Sequence, residues 1–96
     1  MVAASFTARP MGPDPWAGAS GVARETIREL AGSPAGRRVV DLERRLGQPV
    51  EVVRTLNRLQ HAGLVSIQIE PGTMELMALA SKGQADALRE LLKRIS

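Results

Sequence analysis

Residues 42 to 65, LERRLGQPVEVVRTLNRLQHAGLV, hold two stretches of helical leucine spacing around a Gly-Gln-Pro break and close on Gly63-Leu64-Val65. Leu42 and Leu46 lie one turn apart, Asp41 just ahead of them can cap a helix, and Gly47 can stop it. Pro49 suits the first turn of a following helix, where its missing N–H is not needed. Beyond it Val52, Leu56, Leu59 and Gly63 fall at i, i+4, i+7 and i+11, which makes one inward face. Counting forward from Leu46-Gly47 makes Val53 the buried residue of that helix; counting back from Gly63-Leu64-Val65 makes it Val52. Two helices joined by so tight a turn predict a helix-turn-helix.

Upstream, Ala23, Ile27, Leu30 and Ala31 share a helical face that starts after Ser20 and ends at Gly32-Ser33-Pro34. Arg38-Val39-Val40 is too short for a helix and predicts a short strand. Downstream, LVSIQIE alternates apolar and polar residues, PGT supplies a turn, and MELMALA returns, so a β-hairpin is predicted over residues 64–80. Ser81 to Ile95 predicts a closing helix with Leu88, Leu91, Leu92 and Ile95 on one stripe and Lys93 and Arg94 at the negative end of its dipole. Residues 1–19, with Pro10, Pro13 and Pro15 and no periodicity, predict an irregular arm ahead of a domain over residues 20–96. The expected fold class is mainly α with a small β-hairpin wing, a winged helix-turn-helix.

A chain of 96 residues has room for one small domain, and Phe6 and Trp16 are its only aromatic residues, so the core must come from Leu, Val, Ile and Met. The absence of cysteine excludes disulfides and thiolate metal sites and favours the cytoplasm. No apolar run reaches the roughly 18–20 residues of a membrane helix, and residues 1–20 lack the basic and apolar blocks of a secretory leader. The net charge of +3 is concentrated. Both flanks balance, whereas six arginines (Arg37, Arg38, Arg44, Arg45, Arg54 and Arg58) stand against Asp41, Glu43 and Glu51 between Arg37 and Ala62 and hold the whole excess.

DLERRLGQPVEVVRTLNRLQHAGLV followed by LMALASKGQADALRELL resembles the MarR-type and related small winged-helix bacterial regulators over roughly residues 22–95. The diagnostic pieces are Leu46-Gly47, Gly63-Leu64-Val65, and Leu79 to Gly83, in the right order with suitable gaps. The resemblance implies a transcription regulator whose third helix, residues 49–62, enters the major groove of double-stranded DNA. Arg54 and Arg58 match the family's basic recognition positions, and Thr55 is a third candidate for contact. Arg37, Arg38 and Arg44 or Arg45 are then expected on phosphates. The terminal stripe of Leu88, Leu91, Leu92 and Ile95 is expected to hold two copies together as a homodimer, with packing on helix one inside a single copy as its alternative.

The hairpin departs from that pattern. Ile67 to Leu79 carries Glu70 and Glu75 and no basic residue, which supports an alternative: a module that docks a protein through its wing or through the Val50-Glu51 end of helix three. Met74, Leu76, Met77 and Leu79 fit either a wing core or an adaptable partner-binding edge. The arginines could instead coat a solvated helix surface, a reading that the neutral flanks weigh against. Trp16 is expected to pack on its own domain or hang free, and His61 to lie on the surface of helix three. No nucleophile with a base, no glycine-rich phosphate loop and no metal-ligand spacing is present, so neither an enzyme nor a bound cofactor is expected.

Overall fold

The computed structural model describes Trp16 and residues 19–95. The arm expected over residues 1–19 therefore lies outside the described residues except for Trp16 and Ala19. Seven elements follow: α1 (Gly21–Ala31), β1 (Arg37–Arg38), α2 (Val39–Leu46), α3 (Pro49–His61), β2 (Ser66–Ile69), β3 (Leu76–Leu79) and α4 (Lys82–Ile95). The molecule is mainly helical with one three-stranded antiparallel sheet, ordered β1-β3-β2.

Helix α1 begins where Ser20 accepts a hydrogen bond from the Ala23 N–H at 3.1 Å, and its Ala23, Ile27, Leu30 and Ala31 are buried as the spacing predicts. The next boundary differs from expectation. The strand is confined to Arg37–Arg38, and Val39 and Val40 already belong to α2, so Asp41 sits in the first turn and Arg38 occupies the capping position without a side-chain bond. Val39 and Leu42, three residues apart on one helical face, are both buried. Burial of that pair outweighs the preference of two β-branched residues for a strand.

Gly47 ends α2 in the left-handed conformation at φ 71°, its N–H donating to the Glu43 carbonyl at 2.9 Å. Pro49 opens α3, and Gly63, at φ 75°, closes it while the Leu64 N–H donates back to the Leu59 carbonyl at 2.8 Å. Val52 is buried and Val53 is exposed, so the phase of α3 is the one counted back from Gly63.

The hairpin is shorter than predicted. β2 and β3 pair with Ile67 opposite Ala78 and Ile69 opposite Leu76, and β1 adds to the other edge of β3 with Arg38 opposite Met77. Helix α4 starts with a reciprocal cap: Ser81 Oγ accepts from the Gln84 N–H at 3.2 Å, and Gln84 Oε1 accepts from the Ser81 N–H at 2.9 Å. Its main neighbour is α1. Leu88 and Leu91 are buried in the common core, and Leu92 and Ile95 pack against it half-buried. Leu88 and Leu91 of the stripe thus serve this copy's own core, the packing on helix one expected as the alternative to a dimer, because a domain with so few large side chains needs those leucines. Arg89 reinforces the contact by donating to the Ala31 carbonyl at the end of α1, at 3.0 Å. Among the described residues no helix is long and apolar enough to cross a membrane.

Candidate functional site

The arginines of the α1–α2 side converge. Arg37, Arg38, Arg44 and Arg45 line one open cleft of about 560 Å³ with Asp41 and Met77. β1 aims the first pair and the exposed side of α2 the second. Three of the four are held by carboxylates. Glu29 of α1 bridges Arg37 Nη2 and Arg45 Nε, each at 3.1 Å. Arg38 Nε lies 3.7 Å from Glu70 and 3.6 Å from Glu75, one at each end of the hairpin turn. Arg44 is exposed and has no ion pair among the described residues.

Helix α3 turns Val50, Val53, Arg54, Asn57, Arg58 and His61 outward. Arg54 donates to Glu51 at 3.1 Å, one turn earlier on the same helix. Thr55, expected to contact DNA, is instead 3% exposed. It follows Val52 by three residues and precedes Leu59 by four, so it falls on the face that packs inward. Arg54 and Arg58 line a second cleft, about 470 Å³, whose wall is Trp16 with Asn57, His61 and Ala62. Trp16 is buried within the core cluster, and its carbonyl accepts from the Ala19 N–H at 3.1 Å. The six arginines thus line two separate clefts, and the α3 flank that carries Arg54 and Arg58 is walled by the indole.

A third surface is apolar. Val40, Val50, Val53, Ile69, Met74 and Leu76 make up all the exposed large hydrophobic side chains of the described residues. They belong to the beginnings of α2 and α3 and to the hairpin. Strand pairing explains the hairpin's share. Ile67 and Ala78 face each other on the side of the sheet turned to α3, where Ala78 is fully buried. Ile69 and Leu76 are the next pair on that same side, beyond the cover of the helices, with Ile69 left 56% exposed. Leu76 lines two adjoining clefts. One, about 350 Å³, also has Val39, Val40, Glu43 and Glu75; the other has Val39, Val53, Asn57, Gln60 and Ile67. At the hairpin turn Met74 has φ 61° and is 72% exposed. Glycine or asparagine ordinarily takes that conformation.

Sequence reasoning singled out Val50, Met74 and Leu76 but missed Val40, Val53 and Ile69 as parts of one surface. The period-two alternation of Ile67 and Ile69 was the available signal for the last. The other two depended on the phase and starting point of helices whose boundaries the sequence leaves open. No protein-family model, curated protein or solved structure matches the chain.

Proposed function

We propose that the chain is a winged helix-turn-helix module that docks a protein partner through the face shared by α2, α3 and the hairpin. The order of elements, the short α2–α3 turn and the β2–β3 hairpin support the fold reading. The observation that carries the function is that Val40, Val53 and Leu76, all exposed, line two adjoining clefts between α2, α3 and the hairpin, with Ile69 paired opposite Leu76. Contiguous apolar surface is costly to leave in water and marks sites of association. Glu43 and Glu75 line the cleft beneath Leu76 and disfavour phosphate there, and the hairpin that would lie against a DNA backbone has no basic residue.

Photo-crosslinking residues placed at Val50 and Met74, with a control at Asp86 on α4, test this reading in native extract. Protein adducts specific to the first two positions, mapped to one recurrent partner segment, are expected. Adducts to nucleic acid at those positions, or equal labelling at Asp86, would overturn it.

Double-stranded DNA is the second reading, favoured by the convergence of Arg37, Arg38, Arg44 and Arg45 on one cleft. Phosphates seated there would displace counterions, so affinity should fall by orders of magnitude between about 50 and about 200 mM salt. Arg54 and Arg58 would then lie nearer the bases. A titration with mixed-sequence duplex at those two salt concentrations decides it, and affinity absent or flat with salt excludes it.

A further inference from the structure

The cleft under Leu76 combines two features that narrow the chemistry of what can fill it. Val39, Val40 and Leu76 give it apolar walls, and Glu43 and Glu75 stand among them. Glu43 is half-buried and has no ion pair among the described residues. Glu75 Oε1 is a buried acceptor with no hydrogen-bond donor: Arg38 Nε, at 3.6 Å, is near enough for attraction and too far for a bond. The Glu75 side chain as a whole is 42% exposed and lines the cleft, so with Glu43 it adds negative charge there.

We infer that this cleft takes an apolar side chain of a partner protein flanked by lysine or arginine, the apolar group against Val40 and Leu76 and the cation on Glu43 and Glu75. The inference rests on the docking reading above and names the partner's chemistry. A second copy of this chain fits poorly, because a two-fold contact through this face sets one acidic rim against the other. A nucleic acid fits worse, having phosphates where the carboxylates stand.

The probes are two short synthetic peptides with the same central leucines, one flanked by Lys and Arg and the other by Glu and Asp. Each is titrated into the full isotopically labelled chain while amide shifts are followed at Val40, Glu43, Glu75 and Leu76. The basic peptide is expected to bind at least about tenfold more tightly, a difference of about 1.4 kcal/mol. Glu43→Lys should abolish or invert that preference. Glu43→Gln, a milder change with little risk to the fold, should reduce it.

Equal binding of both peptides at this face overturns the charge inference and leaves the docking reading standing. Binding of neither peptide overturns the inference, and salt-sensitive duplex affinity beside it overturns the docking reading as well. Shifts at the same residues that grow with protein concentration alone would identify the occupant as a second copy and overturn the inference.

Discussion

Met74 is placed where the backbone disfavours it. An L side chain at φ 61° costs roughly 1 kcal/mol, and a glycine there relieves the strain while adding chain entropy of similar size. Met74→Gly is therefore expected to leave stability within about 1 kcal/mol of the parent, on either side, and still weaken docking. Urea unfolding followed by the fluorescence of Trp16, together with the peptide titration, measures both; a large loss of stability would show that Met74 holds the turn. Gly36 is the opposite case. At φ 88° a Cβ would meet Leu79 Cδ2 at 2.5 Å and the Ala78 carbonyl at 3.0 Å, whereas a Cβ on Gly47 would meet nothing within 4 Å. Gly36→Ala should cost about 2 kcal/mol or more, and Gly47→Ala about 1 kcal/mol, since only the first adds a clash to the backbone strain. Equal midpoints in urea would refute the difference.

Among the elements, α4 takes the alternative its pattern left open, packing on α1 within one copy. An amphipathic stripe states only that something must cover it, and α1 of the same copy covers this one. Leu88→Ala should accordingly cost about 2–5 kcal/mol, the range for deleting a buried leucine side chain. Leu92→Glu should also lower the urea midpoint by placing a charge beside the core. Light scattering across a concentration series is expected to show the same mass for both variants and the parent. A parent dimer that dissociates in Leu92→Glu would restore the α4 interface. The hairpin is likewise an element with two fates along one face: at Ile67 and Ala78 it closes the core, and at Ile69 and Leu76 it overhangs it. That overhang leaves an apolar strand pair exposed without any change of residue type.

Over the whole molecule, ion pairing decides what the concentrated positive charge can do. Glu29, on α1, reaches across to Arg37 and Arg45, so a carboxylate outside the basic stretch offsets two of its cations. Glu70 and Glu75 do the same for Arg38. Glu29→Gln tests the consequence. Its stability cost should be small, about 1 kcal/mol or less, because both arginines remain partly in water. Duplex affinity is expected to remain negligible in the variant. If DNA is the partner, the freed guanidiniums should instead strengthen binding and steepen the log–log salt dependence by about one to two.

How much was legible in advance follows from the range of the interactions involved. The sequence by itself determined what local chemistry controls: the α1 face, the stop at Gly47, the start at Pro49, the hairpin turn and the α4 stripe, whereas Gly63, counted on the inward face of α3, lies exposed beyond its end. Each of these depends on residues within a turn or two of one another. Tertiary structure alone decided the rest. Only packing selected Val52 over Val53, turned Thr55 inward, and drew Val39 and Val40 into a helix. The same packing set the α4 leucines on α1 and brought Glu29, Glu70 and Glu75 to arginines distant in the chain. Val40, Val53, Ile69 and Leu76 form one face for a similar reason. Solvent exposure is what remains after the core has taken its share, and that share is a property of the folded whole.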